Sequence, residues 1–322
     1  MAPRILVTAN PLSSLDVMRE LAPAGFDVTV AAAGSPEFHA ALAGTEYLVG
    51  LGEASMGEAF YRASPKLKLV QLLSAGYDRV DIEAARRAGV PVCNNGGANA
   101  VAVSEHAILL MLAVCRRLTW LHGNVVAGRW RGNDVANVRL YELHGRTLGI
   151  IGLGTIGKKT ARLAKAFGMA VQYYDIARLT EDQADSLGVR FRLLGELLRT
   201  SDIVSLHVPL SPATRHMIGA AELKLMQKTA YLINTCRGPV VDEKALHTAL
   251  TDGTIAGAGL DVFDQEPPPA DNPLFALDNV VLTPHYAGPT WDNQYARFRN
   301  AFDNVERVAR GDQPLWVIPE LR

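Results

Sequence analysis

Two hydrophobic rhythms alternate along the chain. Short β-branched runs (RILVTA, FDVTVA, YLVGLG, LKLVQLLS) occupy the first part of the sequence, and Ala/Leu/Arg-rich stretches at helical spacing separate them, for example 14–22 and 56–63. A second series follows: TLGIIGLG, AVQYYD, DIVSLHV, AYLINTC, IAGAGLDV and NVVLTP, again divided by helix signals or turn chemistry. Strand and helix in strict alternation predict parallel sheets with helices on both faces. Between the two series, residues 100 to about 127 contain no proline and predict one long helix connecting two domains. A final helix is predicted from 290 to about 310.

The six strands of the second series, each with its helix or turn, match a doubly wound dinucleotide-binding domain. The first series makes a smaller sheet, of flavodoxin-like type. The last helix and tail bring no strands of their own and are expected to pack back on that first domain. The predicted class is therefore α/β with two Rossmann-like domains and doubly wound parallel sheets. A smaller substrate domain (1–98 and 290–322) carries an inserted cofactor domain (99–289).

Composition narrows the function classes. At 322 residues, 48% hydrophobic and 20% charged, the chain is of ordinary globular make-up and long enough for two cores. A net charge of -1, with basic residues no denser than the pairs Arg86-Arg87 and Arg116-Arg117, argues against nucleic acid and anionic membranes as partners. The apolar run AILLMLAVC is too short to span a bilayer, and the amino terminus enters a strand pattern with no signal-peptide core. Cys93, Cys115 and Cys236 lack metal-ligand spacing, so no metal site is expected; they fit a reducing, cytoplasmic setting.

Candidate chemistry begins at GIIGLGTIG. Gly152, Gly154 and Gly157 form G-x-G-x-x-G after an apolar strand and at the opening of a helix, where free N–H groups, Thr155 and Ile156 among them, meet a pyrophosphate. Eighteen residues beyond Gly157, AVQYYD ends on Asp175, a carboxylate suited to adenosine ribose hydroxyls and repelling a 2′-phosphate. This favours NAD; Arg178 nearby softens the preference and leaves NADP possible. A glycine turn that binds nothing is the alternative.

Ligands of open parallel sheets sit beyond the carboxyl ends of strands. There the sequence delivers Arg237, Asp261, Glu266 and His285. A nicotinamide exchanging hydride with a carbon that bears oxygen needs a group titrating near neutrality, and His285 is that group. A neighbouring carboxylate such as Glu266 stabilises imidazolium. Arg237 offers a planar fork for a carboxylate or carbonyl, and Asp261 an acceptor for the nicotinamide carboxamide. Each has a plainer reading: His285 as a hydrogen-bonded strand cap, Glu266 as a loop acid, Arg237 as a surface turn, Asp261 as a cap.

GIIGLGTIG, HVPLSPATRHMI, INTCRGPVVDEKAL, GAGLDVFDQEP and LTPHYAG, with LLSAGYDRVDI before them, occur in an order that resembles the D-isomer-specific 2-hydroxyacid dehydrogenases. The resemblance spans residues 71–288. It implies a homodimer with an inserted cofactor domain, a catalytic Arg237, Glu266 and His285, and a loop of Ser74, Ala75 and Gly76 holding the substrate carboxylate through backbone N–H groups. His207, Pro209, Thr214, Thr235 and Cys236 are implied at the cofactor, with Val103 beside the nicotinamide. Cys236 departs from the usual serine or alanine. Glu266 stands where formate-oxidising members carry glutamine, which argues against formate, and the chain ends too soon for the regulatory domain of longer phosphoglycerate dehydrogenases. The expected activity is reversible NAD-dependent reduction of a small 2-keto acid (glyoxylate- or hydroxypyruvate-like) to the D-2-hydroxy acid. Leu51, Tyr77, Trp130, Tyr286 and Trp291 are candidate pocket walls. An NAD(H)-sensing corepressor, a phosphite dehydrogenase on the same scaffold and an amino-acid dehydrogenase are the rivals.

Overall fold

The computed structural model describes residues 2–50, 56–130 and 138–322; the candidate pocket residue Leu51 lies outside them. The chain divides into two compact units, Met1–Asn99 with Pro289–Arg322, and Ala100–Gly288.

In the first unit, β1 (Arg4–Ala9), α1 (Leu15–Leu21), β2 (Asp27–Ala32), α2 (Pro36–Leu42), β3 (Tyr47–Gly50), α3 (Glu58–Ala63), β4 (Leu69–Leu72), α4 (Ile82–Ala88) and β5 (Val92–Cys93) follow in order. The sheet order is β2-β1-β3-β4-β5, every pair parallel, which is the flavodoxin-like arrangement. The two-residue pleat period explains the two cores. Ile5 and Val7 go to one face with Leu69 and Leu73, and Leu6 goes to the other with Val70 and Leu72. The fifth strand was not foreseen, because two residues carry no periodicity.

The second unit runs α5 (Ala100–Cys115), α6 (Leu118–Val126), β6 (Thr147–Ile151), α7 (Thr155–Ala166), β7 (Ala170–Tyr174), α8 (Glu181–Leu187), β8 (Arg190–Phe191), α9 (Leu194–Thr200), β9 (Ile203–Leu206), α10 (Ala220–Leu225), β10 (Tyr231–Asn234), α11 (Glu243–Thr251), β11 (Gly257–Leu260) and β12 (Val280–Leu282). Its parallel sheet has the order β12-β11-β10-β9-β6-β7-β8, with the strand order reversing at β6/β9. That is the doubly wound dinucleotide topology with seven strands, the additional one being the two-residue β8. The apolar run 107–115 lies in α5, where Ala107, Leu110, Met111 and Val114 pack on one sheet face with Leu148 and Ile150.

The single long helix expected over 100–127 is two. Arg117 is left-handed (φ 48°), the Cys115 carbonyl accepts from Tyr141 N instead of from a fourth-following amide, and Arg117 pairs with Asp278 at 3.0 Å. Tertiary partners, not a proline or glycine, make the break.

α12 (Asn293–Ala309) belongs to the first unit, where Phe298, Ala301, Phe302 and Val305 fill one core. It begins after the expected Thr290, whose hydroxyl accepts from Asn293 N at 3.3 Å. The tail adds an antiparallel bridge, Val317 to Cys93. No described helix is long and apolar enough to cross a membrane, and no described group of three or more His, Cys, Asp or Glu is arranged to hold a metal.

Candidate active site

All strands of the larger sheet are parallel, so their carboxyl ends share one edge. At its topological switch, β6 runs into Gly152 (φ 94°), whose Cβ, if present, would stand 2.7 Å from the His207 carbonyl oxygen. Only glycine satisfies both the left-handed backbone and the approach of the loop after β9. Gly154 caps α7 without a side-chain bond, and no heavy atom lies within 4 Å of where its Cβ would be. Thr155, Ile156 and Gly157 form the first turn of α7, whose N–H groups have no intrahelical acceptor. The arrangement is an anion site with room for a phosphate.

Asp175 follows β7. Its Oδ2 accepts from Leu153 N at 2.6 Å and its Oδ1 from Ala177 N at 2.9 Å. The carboxylate thus sets the glycine loop while keeping lone pairs for hydroxyls. Arg178 stacks on the Phe191 ring, its guanidinium carbon 4.8 Å from the centroid.

After β9, His207 bonds Ser205 Oγ through Nε2 at 3.0 Å, and burial pushes its pKa down to about 4, so the ring is neutral at pH 7. Thr214 Oγ1 donates to the Pro209 carbonyl at 2.6 Å and closes the following loop. Beyond β10, the Thr235 hydroxyl is buried without a partner among the described residues. Cys236 Sγ lies 3.1 Å from Asn234 Oδ1, and burial raises its thiol pKa to about 11, which removes thiolate chemistry near neutrality. Val103 is buried in the first turn of α5. An open phosphate cradle, a ribose-competent acid and an orphaned hydroxyl fit a dinucleotide.

Arg237 ends the same turn, with Nη1 donating to the Cys236 carbonyl at 2.7 Å. The next residue must be glycine, since a Cβ on Gly238 would fall 1.8 Å from the Phe263 carbonyl oxygen. That close approach brings the Arg237 turn against the loop after β11, which carries Glu266 through a cis Glu266–Pro267 bond. Glu266 Oε1 accepts from Phe263 N at 3.1 Å, and Oε2 lies 2.7 Å from His285 Nδ1. Burial alone would raise the Glu266 pKa; the hydrogen bond and charge of His285, the Phe263 amide and Arg237 outweigh it and hold the carboxyl below its ordinary value. Because Nδ1 is engaged, Nε2 is the nitrogen left for a substrate. His285 follows β12, four positions from β6 in the sheet order, about 19 Å at ordinary strand spacing. An extended dinucleotide spans that distance.

His285 itself is left-handed (φ 57°), an uncommon state for a non-glycine residue. Asp261 holds it there. The Asp261 carbonyl accepts from His285 N at 2.7 Å, while Oδ1 accepts from Tyr286 N (2.8 Å) and Thr283 Oγ1 (2.6 Å) and Oδ2 from Ala287 N (2.9 Å). Since Thr283 donates to the carboxylate, its oxygen accepts from His106 Nε2 at 2.9 Å. The three side-chain bonds to Asp261 leave Oδ2 a lone pair for the nicotinamide carboxamide expected there. The Asp261 side chain is fully buried and its oxygens serve the loop. Asp261, Thr283 and His106 position His285. The last two were missed because a hydroxyl on a strand end and a helix histidine carry no motif.

In the first unit, the loop after β4 has an unusual hydrogen-bond account. The carbonyls are anchored: Leu73 by Arg297 Nε (2.9 Å), Ser74 by Asn95 N (3.1 Å), Ala75 by Asn94 Nδ2 (3.3 Å) and Gly76 by Ser74 Oγ (2.8 Å). The N–H groups of Ser74, Ala75 and Gly76 donate to no described residue. A loop with fixed carbonyls and three amides that have no acceptor among the described residues can receive an anion. Of the candidate pocket walls, Tyr77 bonds Glu320, whereas Tyr286 (52% exposed), Trp291 (70%) and Trp130 (82%) are open to solvent, so no closed wall is formed by them within their own units.

A model of the D-isomer specific 2-hydroxyacid dehydrogenase NAD binding domain matches residues 108–287. A glyoxylate reductase of Korarchaeum cryptofilum is 43% identical over 268 residues, covering 83% of this chain and 80% of the relative. Among solved structures, a glyoxylate reductase from Paecilomyes thermophila superposes with a TM-score of 0.88 at 28% identity, covering 100% of this chain and 99% of the other. An NADPH-dependent glyoxylate/hydroxypyruvate reductase from Sinorhizobium meliloti, solved with NADP and malonate, superposes at 0.84 with 29% identity, covering 100% and 98%.

Proposed function

The chain belongs to the D-isomer-specific 2-hydroxyacid dehydrogenases, oxidoreductases that use NAD(P), and on that premise we propose that it reduces a small 2-keto acid of the glyoxylate or hydroxypyruvate kind to the D-2-hydroxy acid. The observation that carries the reading is the Glu266–His285 pair at 2.7 Å, on the sheet edge that also bears the glycine loop.

When bound, the nicotinamide supplies the hydride. The residues of this chain supply the proton, the charge and the orientation. His285 Nε2–H donates to the keto oxygen as the carbon is reduced, and Glu266 Oε2 holds the ring through Nδ1 and stabilises its protonated form. In the oxidative direction His285 accepts the hydroxyl proton. Arg237 directs its fork at the carboxylate or carbonyl of the substrate, and the Ser74, Ala75 and Gly76 amides take the carboxylate. Gly154, Thr155, Ile156 and Gly157 hold the pyrophosphate, and Asp175 accepts from the adenosine ribose, favouring NAD. Thr235 Oγ1, His207, Pro209, Thr214, Cys236 and Val103 border the cofactor.

The quaternary assignment is a homodimer formed through the second unit. Val101 and Leu109 on α5, Leu118, Val125 and Val126 on α6, and Trp130 beyond it are all at least half exposed, a concentration of apolar surface that a second copy would cover. Cytoplasmic placement is assigned from the three free, buried cysteines. A panel of glyoxylate, hydroxypyruvate, pyruvate and longer 2-keto acids, run with NADH and NADPH, tests the function. Rapid oxidation of NADH with one of the short acids is expected. Cofactor binding without turnover of any of them would point instead to a sensor of the NAD(H) pool, and turnover that requires ammonia to an amino-acid dehydrogenase.

A further inference from the structure

We propose that Arg297 is a specificity-determining residue for anionic substrates: its buried guanidinium gives the Ser74–Gly76 amides their preference for a carboxylate over a neutral isostere. The inference rests on the reading of that loop as the substrate-carboxylate subsite.

Arg297 lies on α12, 6% exposed. Its Nε donates to the Leu73 carbonyl at 2.9 Å and its Nη1 to the Leu12 carbonyl at 3.1 Å. No described carboxylate stands within ion-pair distance, and burial pulls its pKa down. Carbonyl dipoles solvate a cation without neutralising it. A buried charge normally has a counter-ion, because leaving it unpaired costs several kcal/mol.

A purely structural staple needs no charge at this position. The other buried polar side chains of α12 do that work with neutral amides. Gln294 Nε2 holds the same Leu12 carbonyl at 2.9 Å, and Asn304 Nδ2 holds Gln71 Oε1 at 2.6 Å and the Leu315 carbonyl at 3.0 Å. What Arg297 adds to this set is a positive charge.

The position of that charge follows from peptide geometry. The Leu73 carbonyl and the Ser74 N–H belong to one trans peptide, so they point in opposite directions. Arg297 grips the carbonyl end, and the free N–H end faces the anion subsite. The guanidinium polarises the peptide, which strengthens the Ser74 donor. It also acts through space. One peptide width plus a hydrogen bond on each side places the charge roughly 8 Å from the bound carboxylate. At an effective dielectric of about 20, a unit charge at that range changes affinity by a factor on the order of 10 to 30. The effect is on charge discrimination, since a neutral amide of the same shape feels only the peptide dipoles.

The experiment measures kcat/KM for a 2-keto acid and for the matching 2-keto amide, pyruvate and pyruvamide, in the wild type, Arg297→Gln and Arg297→Lys. The glutamine variant is expected to lower the acid-to-amide ratio about tenfold or more, with NADH affinity unchanged, and the lysine variant to keep most of the ratio. An unchanged ratio in Arg297→Gln overturns the proposal, however much each rate falls, and so does an equal loss in Arg297→Lys. If the variants do not fold, the Arg297 Nε–H resonance of the wild type decides. It should move on titration with acetate and stay in place with acetamide; no movement with acetate overturns the proposal. A wild type that turns over no keto acid and binds no acetate would refute the reading of the loop itself, a result distinct from either.

Discussion

Replacing Asp261 by asparagine removes the brace behind His285 while conserving shape. The carboxylate accepts three bonds from the loop, from Thr283 Oγ1 at 2.6 Å, Tyr286 N at 2.8 Å and Ala287 N at 2.9 Å, in a fully buried position. An amide has one acceptor oxygen. Oriented to keep Thr283 and Tyr286, it turns its NH2 group toward Ala287 N–H, donor against donor. One charge-assisted bond is lost, about 1.5–3 kcal/mol, and the others weaken to neutral strength, so the loop loses roughly 3–5 kcal/mol. Holding a non-glycine residue such as His285 left-handed costs about 1–2 kcal/mol. The loss exceeds that cost, so His285 relaxes to an ordinary backbone and its ring shifts. A shift of about 1 Å at a reacting group is worth about a hundredfold in rate. Asp261→Asn should therefore lower kcat for glyoxylate about a hundredfold, with the NADH dissociation constant, read by fluorescence titration, within about threefold of the wild type. A variant that keeps kcat within threefold refutes the bracing argument. One that loses NADH affinity with kcat intact at saturating cofactor would assign Asp261 to the carboxamide contact instead.

Further outcomes follow from the same geometry. Gly238→Ala, whose Cβ would meet the Phe263 oxygen at 1.8 Å, should separate the Arg237 turn from the Glu266 loop and cost at least tenfold in kcat/KM together with a lower melting temperature, measured by steady-state kinetics and calorimetry. His207 has a folded pKa of about 4, below its ordinary 6.5, so its contribution to stability is present above pH 6.5 and is lost as pH falls toward 4. Urea denaturation of His207→Gln should show a shallower acid loss than the wild type across that window, by up to about 3 kcal/mol. The Cys236 thiol, raised to about 11 and buried, should resist alkylation by iodoacetamide in the native protein at pH 8; rapid labelling there would contradict its placement. Asp175→Ser removes the acid beside the ribose and should narrow the NADH-over-NADPH preference in kcat/KM by at least tenfold.

Much of the fold was readable because its long strands are buried on both faces and so appear as unbroken apolar runs. RILVTA, TLGIIGLG and AYLINTC are strands as read. Pattern fails where structure is too short to have a period, as at Val92–Cys93 and Arg190–Phe191, and where a distant partner overrides local preference, as Tyr141 and Asp278 do at Arg117. The histidine–glutamate pairing was legible from chemistry, since an imidazole at a strand end needs a reason. Hydrogen-bond direction was not. No pattern of residue types says that Asp261 turns inward to the loop or that the Ser74–Gly76 amides meet no acceptor among the described residues. Nor does sequence reveal that Arg297, three residues after a glutamine on the same helix, is buried without a counter-ion among the described residues.

Single-turnover reduction of glyoxylate by His285→Gln with NADH prebound tests the proton-donor role of His285 most directly. Cofactor binding should be retained within a few-fold and the rate of NADH oxidation should fall by at least a hundredfold, the loss of a positioned proton donor. An unchanged rate in that variant would contradict that role.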